Sequence, residues 1–154
     1  IGLDNMLRSY LIEEHSVAEL EDAFIAQTNW DLRKGRPTVV PCAEALENKI
    51  YSDKFHKGFT GTAGGFYGPQ GRVVRLNIQD PQLNSKMDAF NYNGTRMTNL
   101  EMETSAIYGL GKLLGHNCLS LNAIIANRAV GEFSSKPEET VNELIAYTLD
   151  KLIK

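Results

Sequence analysis

The chain has 154 residues, 42% of them hydrophobic and 23% charged, the composition of an ordinary folded domain, which excludes intrinsic disorder and a fibrous architecture. A domain of this length buries roughly 68–70% of the surface its unfolded chain exposes, enough for a core of its own. Sixteen Lys and Arg against nineteen Asp and Glu leave a formal net charge of −3, so nucleic-acid binding through bulk positive charge is excluded and any anionic ligand must be held by local groups.

No apolar run approaches the roughly 20 residues of a membrane span, and Ile1-Gly2-Leu3-Asp4-Asn5 carries neither the basic region nor the long apolar stretch of a signal peptide. Cys42 and Cys118 are too few for a disulfide scaffold and lack metal-ligand spacing. These features lead us to expect reduced thiols and a cytoplasmic protein. The chain opens on Ile1 with an apolar start like the end of a strand already under way, from which either a removed leader or a longer polypeptide is expected.

Ser16-Val17-Ala18-Glu19 has capping-box spacing, and Val17, Leu20, Phe24 and Ile25 follow at helical intervals, which predicts a helix from about Val17 to Asn29. Gly35-Arg36-Pro37 breaks it. The β-branched Thr38-Val39-Val40 suits an extended link, after which Pro41 can open a helix with Ala43, Leu46 and Ile50 on one face. Lys57 to Thr62 reads as a strand. Six glycines and Pro69 between Gly58 and Gly71 suggest that this strand runs into a ligand-facing loop, an ordinary surface turn being the alternative.

Val73 to Ile78 alternates loosely in the manner of a strand and ends at Asp80-Pro81, and Leu83, Met87 and Phe90 mark a short helix. Asn93-Gly94-Thr95 matches a glycosylation acceptor, but without a secretory signal Asn-Gly reads as a turn. A helix follows Leu100-Glu101-Met102-Glu103, with Ala106, Leu110, Leu113 and Leu114 facing inward and Gly115 closing it. Cys118 to Ala126 is apolar and bounded, as a buried strand would be. Ser134-Ser135-Lys136-Pro137-Glu138-Glu139 opens the last helix, with Val141, Leu144, Ile145, Thr148, Leu149 and Leu152 at helical spacing. Strands alternating with helices predict an α/β layer fold. His15, His56 and His116 lack metal or triad spacing and read as surface or helix-end residues, and Trp30 as a packing residue.

Two groups could carry chemistry. Glu101 and Glu103 flank Met102; in a strand both carboxylates share a face, whereas in a helix they diverge by roughly 200°, and helix-dipole stabilisation is the plainer reading. Phe66, Gln70 and Arg72 on the Gly-rich loop combine a stacking face, a donor–acceptor amide and a planar cationic fork, a set suited to a flat heterocycle with carbonyl oxygens.

Taken together, Phe66-Tyr67-Gly68-Pro69-Gln70-Gly71-Arg72, Asn99-Leu100-Glu101-Met102-Glu103 and Ile124-Ile125-Ala126-Asn127-Arg128 resemble, in order and spacing, the base-binding, ribose-binding and pocket-lining segments of the uridine phosphorylases. The resemblance runs from about Lys57 to the C-terminus. Asn127-Arg128 stands where purine-specific members of the nucleoside phosphorylase family usually place a Ser-Asp pair, which resembles the pyrimidine branch.

The resemblance implies a three-layer α/β fold with a mixed central sheet flanked by helices. It implies that Gln70 and Arg72 hydrogen-bond the uracil edge, that Phe66 packs on the base, that Ile125 lines the pocket with Arg128 behind it, and that Thr60 and Gly61 lie near the base. Met102 and Glu103 would contact the ribose, with Glu101 in the same segment. The implied reaction is phosphorolysis of uridine to uracil and ribose 1-phosphate in pyrimidine salvage, with Arg72 and Glu103 catalytic, inorganic phosphate as co-substrate, and no cofactor or metal. Arg72 would stabilise negative charge on the departing base more than the neutral ground state.

The family's phosphate site is built mainly from a glycine-rich segment and arginines in the N-terminal half of the subunit. The resemblance therefore implies that residues 1–154 are one partial domain, the C-terminal portion, with an exposed apolar sheet edge. It also implies a homo-oligomer of dimers forming a hexamer, and neither a nucleic-acid nor a membrane partner. A nucleosidase or purine phosphorylase of the same superfamily, and a non-catalytic fragment that only binds or assembles, remain as alternatives.

Overall fold

The computed structural model describes residues 1–127 and 130–153. Its helices are α1 (Ala18–Thr28), α2 (Glu44–Ile50), α3 (Leu83–Ala89), α4 (Thr104–Leu113) and α5 (Pro137–Ile153); its strands are β1 (Phe59–Thr62), β2 (Asn91–Tyr92), β3 (Thr95–Glu101), β4 (Ala126–Asn127) and β5 (Glu132–Phe133). β1 and β3 pair in parallel, with Thr60 opposite Asn99 and Thr62 opposite Glu101, and β2 lies antiparallel to the start of β3. The first residues extend this sheet. Gly2 bridges Thr62 in parallel and Thr38 antiparallel, so the backbones at 38, 2, 62 and 101 lie side by side in one row.

The chain forms a mixed α/β structure of this kind because its local signals agree with its burial. Leu20 and Phe24 of α1, Leu83 and Met87 of α3, and Phe90 pack with Leu3, Val39 and Ala63 from the sheet in one core cluster. Phe24 is fully buried between the rings of Trp30 and Phe90, with centroids 5.6 and 5.1 Å away. A second cluster of Leu7, Ile12 and Val40 receives Tyr108 and Leu113 from α4. Asn93 and Gly94, with φ of 51° and 82°, form the two-residue connection between β2 and β3, as expected for Asn-Gly.

Four sequence expectations are corrected. Ser16 does not cap α1: Val17 occupies the N-cap position without a side-chain bond, and the Ser16 hydroxyl donates to the Glu13 carbonyl instead. Val73 to Ile78 forms no strand, and Val74 and Leu76 are exposed because no strand lies beside them to pair with. Of the four residues expected to face inward from α4, Leu113 does, whereas Ala106 and Leu110, and Leu114 just after the helix, are exposed; the buried positions are Thr104, Gly109 and Gly111, and the two glycines are where the Leu7 and Cys118 side chains come closest. Cys118 to Ala126 is irregular until β4 and exposes Ile124 and Ile125, since among the described residues its sheet pairing is limited to the short β4–β5 ladder.

A buried carboxylate locks the outer part of the row. Glu21, 1% exposed, accepts from Arg8 at 2.6 Å, from Arg36 Nε at 3.0 Å and from the Val39 backbone at 3.1 Å. Phe24 anchors the helix that carries this group. Phe24→Ala is expected to destabilise the protein by about 3–5 kcal/mol, read as a lowered urea midpoint with little change in slope.

Candidate active site

The candidate residues leave the sheet from the carboxyl ends of adjacent parallel strands, where open α/β folds place their ligand crevices. After β1 the chain passes through Ala63 into the Gly-rich loop, residues 64–72; after β3 it turns through Met102 and Glu103 into α4. The Ala63 amide donates to the Glu101 carbonyl at 2.9 Å, so the two exits start side by side.

Within the loop, Pro69 lies in a 3-10 turn over Gly68–Gln70, and Gly71 then takes φ of 75°, a left-handed conformation that a side chain would strain. The turn brings Arg72 back over Phe66. The guanidinium carbon sits 3.6 Å from the Phe66 ring centroid, and Nη1 donates to the Phe66 carbonyl and, at 2.8 Å, to Gln70 Oε1. Gln70 is buried, whereas Phe66 presents half of its surface to solvent beside Tyr67. The structure thus brings three predicted base residues into one stacked group.

Glu101 and Glu103 take different parts. One oxygen of Glu101 accepts from the Thr62 hydroxyl at 2.5 Å; the other accepts from the backbone amides of Glu103 at 2.7 Å and Thr104 at 2.6 Å. Burial works to raise the Glu101 pKa, but the Thr62 hydroxyl and then the two amides outweigh it, and the net result lies below the ordinary carboxylate range. Glu101 is therefore a strand-to-helix clamp. Glu103 is exposed and accepts from the Met102 amide at 3.1 Å, and Met102 is itself exposed. Both directly follow Glu101, whose carbonyl accepts from the Ala63 amide at the start of the loop.

Thr60 and Gly61 lie earlier on β1. The Thr60 hydroxyl donates to Asn99 Oδ1 at 2.8 Å, and Gly61 is buried against Met97 and Leu100 with no room for a side chain. Ile125 precedes β4, is half exposed, and accepts from the Ser134 amide through its carbonyl. Arg128 lies outside the described residues.

Two cavities flank this region. One of about 730 Å³ lies between the loop and residues 73–80 and includes Arg72. The other, of about 530 Å³, runs under α4 past Thr60, Asn99, Thr104 and Tyr108. Sequence reading missed the Thr62 hydroxyl as the partner of Glu101, and missed Thr104 and Ser105, whose amides complete the clamp; the Thr62–Glu101 register that joins them is a property of strand pairing. Among the described residues, no cluster of three or more His, Cys, Asp or Glu could hold a metal, and no helix is long and apolar enough to cross a membrane.

The chain matches no protein-family model and no curated protein. It is similar in structure to a nucleoside phosphorylase from Trypanosoma brucei that has uridine phosphorylase activity, with a TM-score of 0.80 over 99% of this chain at 23% sequence identity. The chain spans 55% of the length of that solved chain. The expected mixed α/β fold is therefore the fold observed, shared with a nucleoside phosphorylase over the portion covered.

The depressed Glu101 pKa has a definite sign. Its stabilisation is complete above about 4.5, the ordinary value of the group, and is lost as pH falls through the lower folded-state value. Glu101→Gln is expected to be less stable than wild type at pH 7 in urea unfolding, and the gap should close as pH falls below about 4.5.

Proposed function

We propose that this chain supplies the base- and ribose-binding part of an enzyme that cleaves uridine with inorganic phosphate, yielding uracil and ribose 1-phosphate in pyrimidine nucleoside salvage. The observation that carries this reading is the stacked Phe66–Arg72–Gln70 group, on a loop that leaves β1 beside the Met102–Glu103 exit of β3. A flat base with carbonyl oxygens matches an aromatic face, an amide and a guanidinium fork. Glu103, exposed at the next strand end, accepts from ribose hydroxyls, and Met102 packs on the sugar. Ile125 and Arg128 close the far side of the base, and Thr60 and Gly61 support it from β1.

Phosphate attacks the anomeric carbon, the glycosidic bond breaks, and its electron pair leaves with the base. Arg72 stabilises that developing anion, and Glu103 keeps the sugar oriented as positive character builds on it. No cofactor or metal is invoked. Residues 1–154 act as one part-domain, and the phosphate site belongs to chain outside it, in keeping with the 55% coverage of the structural neighbour. The apolar surfaces of α4 and α5, including Ile107, Leu110, Ile145 and Leu149, suit contacts with that remainder and with further subunits of a dimer-based hexamer. No nucleic acid takes part.

The test is calorimetric titration of the chain with uridine and with uracil, followed by phosphate-dependent uracil release by the protein carrying this chain together with its phosphate-binding half. Arg72→Ala is expected to abolish pyrimidine binding and to lower the release rate by about 10²–10³. Pyrimidine binding that survives Arg72→Ala, or inosine cleaved as fast as uridine, would overturn the assignment.

A further inference from the structure

The 730 Å³ cavity is of the size that small-molecule sites occupy, and it is distinct from the base–ribose group. Its base is formed by Leu3, Trp30 and Leu83, one wall by Tyr67 and Pro69 of the Gly-rich loop, and the other by residues 73–80. Only Arg72 is common to it and the residues assigned to uridine; Phe66, Gln70, Glu101, Met102 and Glu103 do not line it.

Three cations, Lys34, Arg72 and Arg75, and two acids, Asp4 and Asp80, line it. The chain carries more acidic than basic residues, and Arg8, Arg33, Arg36, Lys57, Lys86, Arg96 and Lys136 each sit against a carboxylate. Lys34, Arg72 and Arg75 all line the cavity, and none of them forms an ion pair with a described carboxylate. Lys34 lies over the Trp30 ring at 5.1 Å, and Arg72 is held by the Phe66 carbonyl and Gln70. The two acids of the lining are already engaged: Asp4 accepts from the Met6 amide, and Asp80 accepts from the Gln82 amide and from Lys86 at 2.8 Å. Asp31, next to the cavity, is taken up by Arg33 and Gln79.

Three cations gathered around one cavity repel one another and favour an anion between them, while the Trp30, Tyr67 and Pro69 surfaces favour a planar apolar body. We propose that this cavity binds a nucleoside monophosphate, its phosphate ester among the cations and its planar base against the Trp30, Tyr67 and Pro69 surfaces, at a site separate from the base–ribose group. Arg72 belongs to both walls, so occupancy of the cavity acts on the loop that holds the base.

The test is calorimetric titration of the 154-residue chain at low ionic strength with three probes: uridine 5′-monophosphate, uridine and inorganic phosphate. The monophosphate is expected to bind, and Lys34→Glu with Arg75→Glu should weaken it about tenfold or more while leaving uridine binding unchanged. Glu103→Gln should weaken uridine and leave the monophosphate unaffected, provided the nucleotide enters the cavity and not the base–ribose site. The proposal is overturned if the monophosphate does not bind, if the double charge reversal leaves its affinity unchanged, if Glu103→Gln weakens it as much as uridine, or if inorganic phosphate alone binds as tightly. Loss of uridine binding in Arg72→Ala bears on the uridine assignment alone, so the two readings fail separately.

Discussion

The carboxylate of Glu101 is the point on which the candidate site is built. It accepts from a side chain of the neighbouring strand and from two amides at the start of α4, and the Thr62 hydroxyl that donates to it also accepts from the Ser105 amide at 2.9 Å. One ionised group thereby fixes the ends of β1 and β3 and the entry angle of α4. Amides at a helix start are left without intrahelical partners, and a carboxylate satisfies them while opposing the helix dipole. The direction of both exits from the sheet follows from this contact.

A second carboxylate does comparable work at the opposite end of the same row. Glu21 binds the Val39 amide beside Thr38, and Thr38 exchanges both backbone hydrogen bonds with Gly2. Arg8 and Arg36 converge on it, and Arg8 also donates to the Pro37 carbonyl. A buried acid with two cations is a costly arrangement to desolvate, and removing one partner would strand the others, so the cluster specifies geometry more than it adds net stability. The row from Thr38 to Glu101 is thus pinned at each end by an acid, with the aromatic core of Phe24, Trp30 and Phe90 behind it.

What the sequence made legible was local. Helical spacing located α1, α3 and α5, and Asn-Gly located the β2–β3 turn, because each depends on neighbouring residues alone. The Gly-rich loop was legible for the same reason. Cys118 to Ala126 and Val73 to Ile78 carry β-favouring residues, yet a strand exists only where another backbone accepts its hydrogen bonds, and composition does not supply that partner. The inward face of α4 was only partly legible: Leu113 packs inward as expected, but the closest approach to the helix is at Gly109 and Gly111, where Leu7 and Cys118 lie, and Leu110 is exposed. Of the two acids around Met102, spacing alone did not reveal which was structural; the Thr62 hydroxyl decides it.

The division of labour in Glu101-Met102-Glu103 also gives the crevice a polarity. Glu103 follows the end of β3, and Arg72, stacked on Phe66, closes the loop after β1, so the two adjoining strand exits lead to groups of opposite charge. In the proposed cleavage the sugar becomes positive as the base becomes negative. A glycosidic bond lying across the two exits, with ribose toward Glu103 and base toward Arg72, would meet a field that favours this separation before any group moves. A net charge of −3 is no obstacle to that reading, because Arg8, Arg33, Arg36 and Arg96 each sit against a carboxylate whereas Arg72 forms no ion pair with a described one.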